Sequence, residues 1–333
     1  MQSVEFTRAS DAAEAAALAD NPGAVFLAGG TDLMQLIRGR AVAPARLVGI
    51  GRVRGLDGVE VLGDGRARIG ALARMADVAR SQEIRSRWPA VSQALLQSAS
   101  PQVRNVATIG GNVLQRTRCC YFRDGDTPCN KRLPGSGCPA LGGDHRNHAI
   151  FGTSDSCIAT HASDLAVALT ALDASILVRG VAGTRRVPIA GLYVQPGDRP
   201  DREHTLLPGD LIEAVELPAL STESGYRSCY RKLGDRASFS FAIVSVAAVL
   251  SIDERSGMIR SARLAAGGVG TTPWPLLSVE RMLTSKPLGK ESFENAARAS
   301  AEGARTLRMN HFKLDLLERL VVRALLDLAG GPL

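Results

Sequence analysis

The sequence predicts a mixed α+β chain with room for two or three domains. Three observations predict it. Short apolar runs bounded by turn residues recur between residues 23 and 70, amphipathic helical periods recur near 87–98, 164–172 and 312–328, and 333 residues are enough for more than one core. Composition agrees: 45% hydrophobic with 22% charged residues is ordinary for a globular chain.

The elements follow in order. Ala12–Ala19 reads as a helix interrupted by Glu14, and Gly23–Ala28 as a buried strand. That strand ends at Gly29-Gly30-Thr31-Asp32, after which Leu33, Leu36 and Ile37 begin a helical period. Val48–Ile50, Val59–Leu62 and Ala67–Gly70 read as short strands with turns between them. A helix over Arg87–Ser98 puts Val91, Ala94, Leu95 and Leu96 on its apolar side. Asp164–Leu172 is a further helix, and Ser175–Arg179 a strand. Pro218–Gly225 reads as a linker, followed by strands at Phe241–Ile252 and Arg260–Gly267. Helices near 291–306 and 312–328 close the chain, the last with Phe312, Leu316, Leu320, Ala324 and Leu328 on one face.

Charge and targeting signals exclude several classes. The net charge of +7 and a pI near 9.4 invite a nucleic-acid reading. The basic residues are scattered, most often as Arg beside Asp or Glu, and aromatics make up only 4%, so no basic run is interleaved with stacking rings. A solvated surface or an acidic partner protein is the expectation, with no nucleic acid. Met1–Phe6 carries no basic segment leading into an apolar one, so no export signal is expected of the chain itself. The longest apolar run, Ile243–Leu250, is too short to cross a bilayer, and no membrane span is expected.

Two segments share one backbone logic. In Phe26–Asp32 and in Val106–Asn112 an apolar stretch gives way to Gly-Gly and a small polar residue. Glycine lets main-chain N–H groups approach a phosphate, and hydroxyl or amide side chains add donors. One such pair alone marks only a tight turn. Two of them, with Asp164 and Lys232 as further polar candidates, suggest a pyrophosphate clamped between loops. Neither is G-x-G-x-x-G or a Walker loop, which disfavours a Rossmann or P-loop fold.

The most specific feature is a set of cysteines in one Gly/Pro-rich stretch. Cys119, Cys129, Cys138 and Cys157 are spaced C-x9-C-x8-C-x18-C, while Cys120 and Cys229 have no evident partner. Six cysteines in so long a chain do not make a secreted disulfide scaffold. Thiolates select zinc and iron–sulfur clusters, so metal ligation is favoured over disulfides. The spacing is neither the paired C-x2-C of zinc sites nor the compact ferredoxin run, and zinc and iron–sulfur both stay open on it.

Together these segments resemble the FAD-binding medium subunit of the xanthine dehydrogenase family of molybdenum hydroxylases, over nearly the whole chain. Phe26, Leu27, Ala28, Gly29, Gly30, Thr31, Asp32 and Leu33 are similar to that family's first flavin loop; Thr108, Gly110, Gly111 and Asn112 are similar to the second. Thr160–Leu165 resembles the segment whose Asp, here Asp164, binds the flavin nucleotide. Leu211–Pro218 and Tyr230–Lys232 match two later flavin contacts, carried over as Ile212 and Lys232. At Ser98–Ser100 the chain departs from relatives that place an aromatic beside the isoalloxazine. The resemblance implies a PCMH-type FAD-binding fold of two α/β subdomains over residues 1–222. A C-terminal domain of a small antiparallel sheet and helices, like that of the CO dehydrogenase flavoprotein, would follow over 223–330.

Residues 115–158 stand as an insertion between the second loop and Asp164. They resemble the [4Fe–4S]-holding segment in the flavin subunit of bacterial, often periplasmic, aldehyde oxidoreductases. The resemblance therefore implies a [4Fe–4S] cluster on Cys119, Cys129, Cys138 and Cys157. Cys119 is preferred to Cys120 because related subunits do not usually carry a second Cys there and adjacent side chains seldom reach one cluster. The implied protein is an oxidoreductase subunit in a heterotrimer: a large subunit with molybdenum-pterin oxidises an aldehyde, a small subunit relays electrons through [2Fe–2S] clusters, and this chain receives them at FAD. A ferredoxin-like partner is one acceptor, with NAD, a quinone or oxygen as others. The complex would assemble in the cytoplasm and reach the periplasm only by co-export with a partner. Two readings compete within and outside the family: the flavin subunit of a xanthine or N-heterocycle dehydrogenase, and a zinc-stabilised binding module, which would explain the cysteines but not the paired loops. None of the five histidines is assigned to chemistry; each reads as a surface or capping residue.

Overall fold

A computed structural model describes residues 4–220 and 225–330. The first sheet is parallel, with strands β1 (Glu5–Arg8), β2 (Ala24–Leu27) and β3 (Arg46–Gly49) in the order β1-β3-β2. Helices α1 (Ala12–Ala19) and α2 (Leu33–Arg38) make the crossovers. Asp11 starts α1 by accepting from the N–H groups of Ala13 and Glu14 at 2.9 and 2.8 Å, a cap that stabilises the helix by about 0.5–2 kcal/mol. Strand β2 is only half-buried, contrary to expectation, because it is an edge strand whose end opens onto the cavity described below.

The second sheet is antiparallel: β4 (Val59–Val61), β5 (Ala67–Gly70), β6 (Ser175–Gly180), β7 (Gly183–Pro188) and β8 (Leu211–Leu217), ordered β4-β5-β8-β6-β7. Between β5 and β6 the chain folds seven short helices. These are α3 (Met75–Arg80), α4 (Gln82–Arg87), α5 (Pro89–Gln97), α6 (Pro101–Arg104), α7 (Ile109–Val113), α8 (Cys120–Arg123) and α9 (Asp164–Ala171). The expected helix over 87–98 starts later because the sequence breaks at Trp88-Pro89. Pro89 cannot donate an N–H to a preceding turn, and Trp88 is fully buried with its indole N–H on the Pro218 carbonyl at 2.9 Å. Leu96, expected on the apolar side, is exposed instead.

The third sheet is antiparallel, β12-β11-β10-β9, from β9 (Tyr226–Gly234), β10 (Ala242–Asp253), β11 (Met258–Gly267) and β12 (Trp274–Pro275). Helices α10 (Leu277–Leu283), α11 (Lys290–Ala297) and α12 (Lys313–Ala329) follow. Successive residues of a strand point to opposite faces. In β10, Val244, Val246, Ala248 and Leu250 pack into the α12 side, whereas Ala247 and Val249 enter the core shared with α5 and α9. Burial on both faces is why this strand reads as an unbroken apolar run. The α12 face is rotated from the expected one: Leu317, Val321, Ala324, Leu325 and Leu328 are buried, and Phe312, Leu316 and Leu320 flank them. The middle of the expected linker, 221–224, and the 222/223 boundary within it lie outside the described residues.

Residues 115–158 contain little regular structure beyond α8 and one 3-10 turn at Pro139–Leu141. They are nevertheless anchored at both ends. Phe122 is fully buried against Leu36 and Ala41, and Ile150 and Phe151 are buried in the C-terminal core, where Phe151 stacks on Trp274 at 5.1 Å.

Candidate cofactor site

A cavity of about 940 Å³ opens between the first sheet, the second sheet and the β9–β10 loop. That is at the upper end of the roughly 300–1,000 Å³ typical of ligand clefts. Phe26 through Leu33 line one wall, and Thr108, Gly110, Gly111 and Asn112 the facing wall. Asp164 and Ile212 close it further along. Every proposed nucleotide-contact residue except Lys232 borders this one space.

The two glycine loops are not equivalent. In the first, the N–H groups of Gly29, Gly30, Thr31 and Asp32 have no acceptor among the described residues. Gly30 sits at φ +69°, the left-handed region that favours glycine, and a Cβ on Gly29 would stand 2.3 Å from the Val106 carbonyl oxygen. In the second loop the donors are already used: Gly110 N–H binds Ala71 O at 2.8 Å, Asn112 N–H binds Thr108 O, and Gly111 N–H binds the Thr108 hydroxyl at 3.3 Å. The two loops of the expected clamp are therefore built unequally. The first loop offers an anion cradle, while the second offers closeness of approach.

Asp32 borders the cavity and has partners beyond it. Its carboxylate accepts from Arg116 N–H at 2.9 Å, Arg118 at 2.8 Å and Arg123 at 2.7 Å, all within the cysteine insertion. Burial lowers the Arg118 pKa to about 10 despite the Asp32 charge. Asp32 thus ties the first loop to the insertion.

Asp164 opens α9 and is buried, accepting from Tyr230 O–H at 2.5 Å, Lys232 Nζ at 2.7 Å and Ser98 O–H at 3.0 Å. Lys232 does not line the cavity; it reaches Asp164 from behind and also donates to the Gln97 carbonyl at 2.9 Å. Tyr230 was not singled out from the sequence, although residues two apart on a strand share a face, which brings Tyr230 and Lys232 to the same carboxylate. Burial beside Asp164 pushes the Tyr230 pKa up, so the phenol stays a donor. Asn112 accepts from Ser163 O–H at 2.7 Å, and Ser163 caps α9 through Ala166 N–H at 3.0 Å, joining the second loop to this network. Asp164→Ala is expected to lower unfolding stability by roughly 3–5 kcal/mol, because it strands the Lys232 ammonium in a buried site. Urea denaturation of flavin-free protein measures it, and Lys232→Met in the same chain should restore part of the loss; equal losses in the single and double variants would remove the coupling.

At Ser98-Ala99, where an aromatic was missed in the sequence, Ala99 takes a left-handed φ of +51° and Arg104 Nη1 holds the Ser98 carbonyl at 2.7 Å. Aromatics reach the cavity from the opposite side, as Phe239 and Phe241 on the β9–β10 loop, with Arg118 4.7 Å over the Phe241 ring.

The cysteines form a second place. Cys119, Cys129, Cys138 and Cys157 all line one small enclosed pocket, with Phe122, Lys131 and His148. All six cysteines are free. Burial pushes the Cys119 thiol up to about 12 and raises Cys138 and Cys157 as well. Cys120 is exposed and faces the large cavity, and Cys229 lies in the C-terminal core with its thiol toward the Ala324 carbonyl. Among the described residues, no three His, Cys, Asp or Glu side chains converge on the position of a single metal ion. His145 and His148 are buried, which corrects the surface half of their reading as surface or capping residues; His145 Nε2 accepts the Met309 N–H at 3.1 Å. No described helix is long and apolar enough to cross a membrane.

Comparison with known proteins agrees with this geometry. Residues 2–220 match the family described as FAD binding domain in molybdopterin dehydrogenase, and residues 228–328 match the CO dehydrogenase flavoprotein C-terminal domain. The chain is 44% identical to the aldehyde oxidoreductase FAD-binding subunit PaoB of Escherichia coli, covering 98% of each chain. It is 27% identical to the glyceraldehyde dehydrogenase medium chain of Sulfolobus acidocaldarius, over 81% of this chain and 77% of that one. In fold it is similar to the solved CO dehydrogenase of Oligotropha carboxidovorans, with a TM-score of 0.77 at 21% identity over 99% of both chains. Matches across both halves and 44% identity over nearly the whole length place the chain in the xanthine dehydrogenase family of molybdenum hydroxylases, as an FAD-binding oxidoreductase subunit.

Proposed function

We propose that this chain carries FAD and a [4Fe–4S] cluster as the electron-transfer subunit of a molybdenum-dependent aldehyde oxidoreductase. The observation that carries the reading is the placement of two sites side by side: the glycine-walled cavity and the four-cysteine pocket share Cys119 and His148 in their walls. The 44% identity to an aldehyde oxidoreductase subunit supports the substrate class. FAD supplies exchange between one- and two-electron carriers, and a cluster supplies a one-electron site.

The residues fit both groups. The free N–H groups of Gly29–Asp32 would hold the pyrophosphate, and a Cβ at Gly111 would enter open space in the cradle, meeting only the Thr108 hydroxyl at 3.0 Å. Asp164 and Ile212 would contact the nucleotide, with Lys232 and Tyr230 fixing Asp164. In a [4Fe–4S] cube each iron takes one thiolate, so the four sulfurs stand farther apart than the ligands of a single ion. The four cysteines would serve, and because burial raises the thiol pKa of Cys119, Cys138 and Cys157, ligation there displaces protons. Lys131 sits beside Cys157 and lowers the cost of its thiolate charge.

The chain would work within a heterotrimer with a large molybdenum-pterin subunit and a small [2Fe–2S] subunit, passing electrons to an external acceptor such as a ferredoxin. The domain division we adopt is 1–222 and 223–330, with 115–158 as the cluster insertion. Absorption of the purified protein tests the reading: flavin bands over a broad iron–sulfur shoulder are expected, with aldehyde oxidation only in the three-subunit complex. Colourless protein holding zinc would overturn it.

A further inference from the structure

His148 touches both sites, and the way it is held suggests a role. It is buried, its Nε2 lies 3.2 Å from Cys119 Sγ, and its Nδ1 has no hydrogen-bond partner among the described residues. Its main chain is fixed from two sides. The carbonyl accepts from Lys313 Nζ at 2.9 Å, and the N–H donates to His145 O at 3.0 Å. Lys313 is itself fully buried at the start of α12, with Gly268 O at 2.6 Å as its second acceptor. The C-terminal helix therefore sets where this ring stands.

A thiolate bound to iron carries no proton, so a ring nitrogen 3.2 Å away faces it as a donor. A neutral imidazole has one N–H; placing it on Nε2 leaves Nδ1 as a bare lone pair, which matches its lack of a partner. Hydrogen bonds to cluster sulfurs favour the reduced, more negative state, and partners beyond the ligands orient and tune them. We propose that His148, positioned by Lys313, donates its Nε2–H to the Cys119 thiolate and raises the reduction potential of the cluster. It would act in the wall through which that cluster faces the flavin cavity. The proposal rests on the reading of the four-cysteine pocket as a [4Fe–4S] site.

Redox titration followed by EPR on the full chain with its cluster, with iron and flavin analysis, tests it in His148→Leu, His148→Gln and Lys313→Met. His148→Leu is expected to keep iron and FAD at wild-type stoichiometry and to lower the reduction equilibrium constant about tenfold, 59 mV for one electron. His148→Gln, which retains an N–H donor, should recover at least half of that shift, and Lys313→Met should move the potential the same way by less. A wild-type potential in His148→Leu would overturn the proposal, as would equal shifts in the Leu and Gln variants or iron loss in both. Iron-free wild-type protein would sink the cluster reading as well, which separates that failure from a failure of the histidine alone.

Discussion

Gly29→Ala and Gly111→Val are both expected to yield flavin-free protein, and the first should weaken the fold more. At Gly29 the added Cβ would meet main chain, 2.3 Å from Val106 O and 3.0 Å from Val106 C, and neither atom can rotate away. One of the two loops must shift, so the cost should reach at least the ~1–3 kcal/mol of an overpacked site, and the cradle formed by the N–H groups of Gly29–Asp32 moves with it. At Gly111 the new side chain meets only the Thr108 hydroxyl, and turning that aside gives up its cap on the Gly111 N–H, a loss of about 0.5–2 kcal/mol; otherwise the side chain enters the open cavity. Acid-released flavin per chain should fall by more than tenfold in both variants. Urea midpoints of the flavin-free proteins should fall for both variants, and further for Gly29→Ala. Wild-type flavin content in Gly111→Val would mean that the second loop does not approach the cofactor.

This asymmetry marks where sequence reasoning reached and where it stopped. The Gly-Gly pairs at 29–30 and 110–111 are legible because the same apolar-to-glycine pattern occurs twice, where a single pair would mark only a tight turn. Which pair keeps its N–H groups free depends on Ala71 and Thr108 as acceptors, one of them far away in sequence. Strand β10 was legible as an apolar run, yet β9 was not read as a strand, because Arg227, Arg231 and Lys232 interrupt its apolar residues. In the fold those charges are met by the Leu328 carbonyl, Asp327 and Asp164, partners about 70 to 100 residues distant. The same reason hides Asp32. Its place after Gly30 says nucleotide loop, while its partners, Arg116, Arg118 and Arg123, lie in the insertion. His145 and His148 read as surface residues because a Gly/Pro-rich segment without a helical or strand period gives no burial signal. Their burial comes from α12 and the segment before it, through Lys313 and Met309.

Serine at any one of Cys119, Cys129, Cys138 or Cys157 is expected to cost most of the iron, whereas serine at Cys120 or Cys229 should cost none. The first four line one enclosed pocket; Cys120 opens to the large cavity, and Cys229 is sealed in the C-terminal core. The structural consequence should be local. Phe122 on one side and Ile150 and Phe151 on the other are held by apolar cores that do not need a metal. Between them, residues 124–144 contain a single 3-10 turn, and their order rests on hydrogen bonds such as those from Arg132 to the carbonyls of Tyr121, Phe122 and Thr127. Ligands at Cys129 and Cys138 would stabilise this stretch as a metal stabilises a small domain. Loss of the cluster should therefore expose Lys131 and Arg132 to trypsin, with cleavage between the anchors while the three sheets remain intact. Iron analysis, low-temperature EPR and timed proteolysis on the six variants decide the point. Iron lost in Cys120→Ser but retained in Cys119→Ser would overturn the ligand assignment. Zinc without iron in anaerobically prepared wild-type protein would remove the electron-transfer role of the insertion altogether.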